Sequence, residues 1–275
     1  ISVRLSLMFQ KTGFNPSKIR GTDTISKSLV EIQKLNLLGK ESLQKSKKTA
    51  NNFVKVIPKQ QNIRVGIFNT WDKGGAAKGS IRRITALREC GVDATLHPLV
   101  STSSLDFVKP LIPKPSQDPA WKKVHQNSIL PAKNEPGYCS MEMFSLPYSI
   151  VDYTKYTRLL SKFDILHLHW VVGILDYQNA GEVIGDKPIV WTLADMNAFT
   201  GGCHYSEGCE GYQRECEQCP LLGGNSKLAH KGWKIKQKAY RKIKNLEIIC
   251  PSAWLAEKVK KSSLLGTRKV HVIPN

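Results

Sequence analysis

The sequence predicts an α/β protein built on an open, mostly parallel, doubly wound sheet of Rossmann-like type. Three observations predict it. Six short apolar runs of strand type alternate with stretches of helical period along residues 61–275. A Gly-Gly pair follows the first run where a strand-to-helix turn belongs. The chain of 275 residues is 41% hydrophobic and 23% charged, a balance that can bury a sizeable core.

Ile63 to Phe68 is the first strand candidate, followed by Gly74 and Gly75. Ala76 to Cys90 carries Ile81, Ile84 and Leu87 at helical spacing, and Gly91 is the expected stop. Val92 to His97 reads as the second strand, completing the opening of a βαβ unit. Residues 98–147 hold eight prolines and read as an irregular excursion, a lid or acceptor loop. The alternation resumes with a helix over 151–163, a strand over 164–170, a helix over 174–184 and a strand over 188–193. A long basic helix is expected over 227–244 and a strand over 246–250. A helix capped by Ser252 and a last strand over 270–273 follow. The first sixty residues, rich in Lys, Ser, Asn and Gln, read as a basic, partly disordered arm with a weak helix over 26–38. The domain proper runs from 61 to 275.

The charge is informative once divided. Residues 1–60 carry 12 Lys/Arg against 3 acids, residues 220–275 carry 13 against 2, and the stretch between carries 16 against 17. A nucleic-acid binder spreads its basic residues over the folded face that binds, so nucleic acid is not an expected partner. Basic ends around a neutral block fit an anionic membrane surface or simple solvated faces. No apolar run approaches the roughly 18 residues of a membrane-spanning helix. A chain that opens at Ile1 reads as a processed protein or a fragment.

Several residues could carry chemistry. Gly74 and Gly75 let backbone N–H groups approach a phosphate at a helix start. The same pair also serves any tight turn, and the G-x-G-x-x-G pattern is absent. His167 and His169 point to one face of a strand. His169 and Trp170 fall at its C-terminal end, where ligands of such sheets gather, and they read as a substrate wall. His167 reads as a hydrogen-bonded core residue. Asp195 follows the next strand at the corresponding position, where a carboxylate can orient a hydroxyl or cap a turn. Gly201 and Gly202 make a backbone segment close by. Cys203, Cys209, Cys216 and Cys219 are spaced C-x5-C-x6-C-x2-C. A tetrathiolate zinc site would pin a loop that has no core of its own; disulfides are the rival in an oxidising compartment, and free thiols are the third reading. The acids around these thiols (Glu207, Glu210, Glu215, Glu217) argue against a nucleic-acid zinc knuckle. The helix over 227–244 is expected to pack an apolar stripe and leave its Lys/Arg in solvent.

Taken together, TWDKGGAAKGSIRRITALRECGVDA (70–94), FDILHLHWVVGIL (163–175), KPIVWTLADMNAFTGGCHYSEGCEGYQRECEQCPLL (187–222), LEIICPSAWLAEKVKKSSLL (246–265) and VHVIPN (270–275) resemble the N-terminal half of a retaining glycosyltransferase of GT-B fold, glycosyltransferase family 4. The resemblance covers about 62–275. It implies two Rossmann-like domains across a cleft, the first binding the acceptor and the second a nucleotide-sugar donor. Gly74 and Gly75 would then face the donor diphosphate. His169, Trp170, Asp195, Gly201 and Gly202 would line the acceptor side, with Asp195 the candidate catalytic residue. No catalytic metal is implied. Similar sequences usually carry His before this Asp, and here that residue is Ala194. The C-terminal donor domain would lie beyond residue 275, so the fragment alone is expected to transfer no sugar.

The expected function is sugar transfer from a nucleotide-sugar co-substrate to a saccharide or lipid-linked acceptor in polysaccharide biosynthesis. The expected location is the cytoplasm, peripheral on the inner face of the membrane. The alternative is a non-catalytic saccharide- or lipid-binding module. A zinc hydrolase using His167 and His169 is disfavoured, because no Asp/Glu–His set at catalytic spacing accompanies them.

Overall fold

β1 (Arg64–Trp71) is buried along both of its faces, as a strand covered on two sides requires. It lies inside a six-stranded sheet with β2 (Asp93–Val100), β3 (Ile165–Leu168), β4 (Ile189–Thr192), β5 (Leu246–Cys250) and β6 (Lys269–Val272). The computed structural model describes residues 63–113, 117–138 and 142–274. The strand order is β2-β1-β3-β4-β5-β6, and every neighbouring pair is parallel. This is the Rossmann-like sheet that the alternation predicts. From β1 the chain steps to one side for β2 and to the other for β3, so the order reverses between β1 and β3. Ligands of open α/β sheets sit at that reversal, beyond the carboxyl ends of the strands. The arm over 1–60 and the helix expected over 26–38 lie outside the described residues.

Strand residues alternate between two layers. Ile67, Ile165, Val190 and Ile249 form one apolar cluster with Ile84 of α1 (Gly74–Glu89). Phe68, Leu166, Leu168, Trp191 and Ile248 form the larger cluster on the other face. That second layer is completed by α4 (Tyr153–Leu160), α5 (Ala180–Ile184), α6 (Leu228–Lys242) and α7 (Ala253–Lys261). α1 starts two residues earlier than its periodicity suggests, so the glycine pair forms its first turn. It ends as predicted, with Gly91 at φ +79° and Val92 N–H returning to Leu87 O. Ser252 caps α7 by accepting from Leu255 N–H at 3.2 Å.

Two expectations need correction. The stretch 98–147 is not irregular throughout. It contains α2 (Gln117–Val124), a π-helical turn over His125–Ile129 and α3 (Leu130–Lys133), and it buries Ala120, Val124, Ile129, Phe144 and Leu146. Pro119 falls in the first turn of α2, where no N–H is needed. Pro131 follows the π turn, the distortion that lets a ring pass where an ordinary helical carbonyl would clash. The helix expected over 174–184 forms only from Ala180. Asp176 accepts from Gln178 N–H at 3.0 Å and from Asn179 Nδ2 at 2.7 Å, a local side-chain turn that competes with helix.

The border of the sheet at β2 is covered. Leu96 N–H donates to Phe107 O at 2.8 Å, Lys109 N–H to Leu96 O at 2.8 Å and Leu111 N–H to Pro98 O at 2.8 Å. Pro98 has the parity of Leu96, so its missing N–H falls on this outer side and costs β2 no bond to β1.

The long connection from β4 to α6 reaches the core through a backbone contact. A Cβ at Gly232 would stand 2.1 Å from Gly201 O, and one at Gly201 would stand 2.3 Å from Ala229 O. Gly232→Ala gains up to about 1 kcal/mol of helix propensity. Neither backbone can yield cheaply, so overpacking of about 1–3 kcal/mol prevails. The expected result is a lower urea midpoint for Gly232→Ala, and an unchanged or raised midpoint would show that the contact is slack.

Candidate functional site

The carboxyl ends of β1 and β3 are tied together by polar side chains of β1. Thr70 donates its N–H to Trp170 O at 2.6 Å and its hydroxyl to the carbonyls of Trp170 and Val172 at 2.8 and 2.7 Å. Asn69 Oδ1 accepts from Trp170 N–H at 3.0 Å. These bonds turn the chain as it leaves β3. The indole of Trp170 then reaches the next connection, donating from Nε1 to Asp195 Oδ2 at 3.0 Å.

Asp195 stands three residues beyond the end of β4, as the sequence places it, and its side chain is 14% exposed. His204 Nδ1 lies 2.6 Å from Oδ2, and Asn197 N–H donates to Oδ1 at 2.8 Å. A carboxylate accepts only, so Nδ1 of His204 carries the proton. Its Nε2 then accepts from the Ser145 hydroxyl at 2.7 Å. Ser145, His204 and Asp195 thus align in the order of a hydrolytic triad. Ser145 is only 1% exposed and receives Asn197 Nδ2 at 3.2 Å, so its oxygen is out of reach of a substrate carbonyl. The row of bonds orients Asp195.

Below Asp195, Lys236 is fully buried. Its Nζ donates to the carbonyls of Asn197 and Thr200, the latter at 3.1 Å. Burial holds this amine down to about 8, against the pull of Cys203, Cys216 and Asp195. Tyr240 adds its hydroxyl to Ala198 O at 2.6 Å. Lys236 corrects the expectation that every Lys of this helix faces solvent. Its place between Trp233 and Tyr240 on the buried stripe (Ala229, Gly232, Trp233, Lys236, Ala239, Tyr240) was a usable signal. For His204 and Ser145 the sequence carried no signal, since they are 59 residues apart and only the fold joins them.

A cleft runs past Pro147, Tyr148, Trp170, Val172, Ala194 and Asp195. It encloses about 20 Å³, little more than one water, so a larger ligand lies across its mouth. His169 borders it too, its carbonyl accepting from Trp191 Nε1 at 2.8 Å. The His169 ring turns to the α1 face and lies 4.4 Å from that of His167. His167 Nε2 is 2.9 Å from Thr192 Oγ1, the core role expected of it. Gly74 and Gly75 are exposed, and a Cβ at either would meet nothing within 4 Å. Gly74 has φ +85°, which favours glycine. No side chain caps the helix start at Lys73. Asp72 turns away to accept from Ser101 Oγ and Thr102 N–H, both at 2.7 Å.

The structure therefore brings Trp170 and Asp195 together, whereas His169 offers the cleft only its backbone and buries its ring on the other face, so it is not the side-chain wall expected of it. Gly201 and Gly202 go elsewhere. They line a separate cavity of about 220 Å³ with Cys203, Cys209, Cys216 and Cys219. Burial pushes the Cys203 thiol up to about 12 and that of Cys216 up to about 11. Among the described residues, the set of three or more His, Cys, Asp or Glu ligand atoms lying within 4.8 Å of one another is Glu215, Glu217 and His230. No helix among the described residues is long and apolar enough to cross a membrane.

Fold and site together define the Rossmann-like class of α/β domains, in which ligands gather at the carboxyl edge of the sheet. No family model matches the chain. Part of it is similar to the putative colanic acid biosynthesis glycosyl transferase WcaC of Escherichia coli (strain K12), with 30% identity over 122 residues. The match takes in 41% of this chain and 30% of that protein, so the chain spans less than a third of the relative's length there.

Buried imidazoles give the fold an acid limit. Burial pulls His97 down to about 4, His167 to about 3 and His169 well below its ordinary value. All three stay neutral in the fold, while the unfolded chain takes up protons below about 6.5. Their contribution is fully present above pH 6.5 and is lost as pH falls towards 4. For His97 alone it is worth about 3 kcal/mol. Urea unfolding is expected to show lower stability at pH 5 than at pH 7, and His97→Gln should shrink that difference. An equal difference in the variant would remove His97 from the account.

Proposed function

We propose that the chain is the acceptor-side domain of a glycosyltransferase of GT-B type. It would move a sugar from a nucleotide-sugar donor to a saccharide or lipid-linked acceptor. The observation that carries this reading is Asp195. Its carboxylate is oriented by Trp170, His204 and Asn197 at the carboxyl edge of a parallel sheet. The partial likeness to a protein named as a glycosyl transferase supports it. In this reading the acceptor lies across the mouth of the cleft and offers a hydroxyl to Asp195. The uncapped N–H groups around Gly74 and Gly75 face the donor diphosphate, whose charge is met by backbone dipoles and basic side chains. A donor-binding half completes the reaction in this reading. The basic stretch 220–275, with 13 Lys/Arg against 2 acids, supports work at an anionic membrane surface, where a lipid-linked acceptor is found.

A second reading is favoured by one observation. Both oxygens of Asp195 already accept from protein donors, and the residue before it is Ala194. Such a carboxylate can recognise a hydroxyl without taking its proton, as in a saccharide-binding module. A transfer assay on the complete protein separates the two. Asp195→Asn is expected to lower kcat by roughly 10²-fold or more if the carboxylate acts in proton transfer. Binding of a saccharide without any turnover would establish the module instead. Gly75→Val is expected to weaken UDP or GDP binding and leave the thermal midpoint in place, because open space surrounds that position. Unchanged nucleotide affinity would leave the glycines a turn and nothing more.

A further inference from the structure

We propose that Cys203, Cys209, Cys216 and Cys219 bind one zinc ion as a tetrathiolate site that fixes the connection between β4 and α6. The proposal is independent of whether the chain transfers sugar.

This connection carries almost no regular structure. From Gly201 to Ser226 it contains no strand and no α-helix, only the short 3₁₀ turn Gly211–Gln213. It nevertheless delivers Tyr212, Cys216, Cys219 and Leu222 to buried positions, where they join the larger apolar cluster. A loop of that length without secondary structure of its own is uncommon in a compact domain. Metal or disulfide cross-links are the usual staples where a core is too small to hold a segment.

The four sulfur-bearing residues border one cavity of about 220 Å³, between Phe144, Gly202 and Ala229. Backbone donors already point at the sulfurs. Gly201 N–H lies 3.3 Å from Cys216 Sγ and Gly211 N–H lies 3.3 Å from Cys209 Sγ. A thiol is a weak acceptor and a metal-bound thiolate a strong one, so such donors form the outer shell that a metal–thiolate site uses. Two of the four cysteines have it.

Lys236 of α6 is wholly buried, and its Nζ donates to the carbonyls of Asn197 and Thr200, where the connection begins. Metal binding transfers no electrons. Each sulfur gives up its proton to solvent and donates a lone pair to the metal.

No three of the four sulfurs lie within 4.8 Å of one another. The edge of a tetrahedral zinc–sulfur site is about 3.8 Å, from a Zn–S bond of about 2.3 Å. Loading therefore draws the side chains inward, into the cavity they already border. Because His204 follows Cys203 directly, closing the site also fixes the imidazole bonded to Asp195.

The test is metal analysis of the full 275-residue chain, purified under reducing conditions without chelator. About one zinc per chain is expected, released when a mercurial blocks the thiols. Cys216→Ser with Cys219→Ser should lose it. Glu215→Gln with Glu217→Gln and His230→Gln should keep it, which separates the thiols from the surface carboxylates. Cobalt exchanged into the unaltered protein should show a sulfur-to-cobalt charge-transfer band, so the proposal can fail even if the serine variants do not fold. Iron in place of zinc, two disulfides in the intact mass, zinc that survives the loss of Cys216 and Cys219, or cobalt without the sulfur band would each overturn it.

Discussion

Backbone carbonyls that leave a sheet for a single 3₁₀ turn, as at Asn197–Phe199, must find most of their donors outside that turn. Between Asn197 and Thr200 the main donor is the ammonium of Lys236, with Tyr240 supplying Ala198 and Ser262 supplying Phe199 at 3.2 Å. All three donors come from parts of the chain that follow the connection, namely α6 and the end of α7. The turn that carries Asp195 is therefore shaped by elements that come later in the chain. Taking the ammonium away would deprive the Thr200 carbonyl of its donor and leave Asn197 O with only the long bond from Thr200 N–H, a loss larger than the bonds themselves are worth. Everything at the carboxyl edge of β4 inherits its position from this arrangement.

Asp195 illustrates what such positioning does. Three donors converge on it from three segments: the turn after β3 (Trp170), its own turn (Asn197) and the cysteine-rich connection (His204). The turn of Asp195 and the cysteine-rich connection are further joined by Met196 N–H to His204 O at 2.8 Å and by Asn197 Nδ2 to Gly202 O at 2.7 Å. Cross-bonded in this way, a carboxylate loses rotational freedom and keeps a fixed face toward the cleft, which is the preorganisation that recognition of a hydroxyl requires. The rings of Trp170 and His204, with centroids 5.8 Å apart, wall it from the core.

The sheet was legible in the sequence because its strands are short apolar runs with clear punctuation. All six appear within two or three residues of their expected limits, and Gly91 and Ser252 end and start helices as their chemistry dictates. That Trp170, Asp195 and the glycine pair stand just beyond strand ends was legible for a related reason, since the strand limits fix those positions. The Pro-rich stretch misled because prolines were counted as breakers, whereas Pro119 sits in a first turn and Pro131 beside a π turn. The helix over 174–184 was shortened by Asp176, whose local bonds leave no trace in hydrophobic period. Ser145 and His204 could not be read, because a hydrogen bond across 59 residues is a property of the closed fold. Lys236 was readable in principle, since its spacing from Trp233 and Tyr240 put it on the apolar stripe.

The segment over 105–112 that lies along β2 gives the sheet two unlike borders. On the β2 side the outward carbonyls of Leu96, Pro98 and Leu99 are taken by Lys109, Leu111 and Ile112, and the N–H of Leu96 is taken by Phe107. Proline offers no further donor. A foreign strand, from a misfolded copy or a neighbouring chain, finds no unpaired ladder there to copy. On the other side β6 is partly exposed, and its residues Lys269, Val270, His271 and Val272 pair only with β5 among the described residues. Among the described residues the two borders thus differ: the chain's own backbone closes the β2 side to strand addition, and no described strand covers β6.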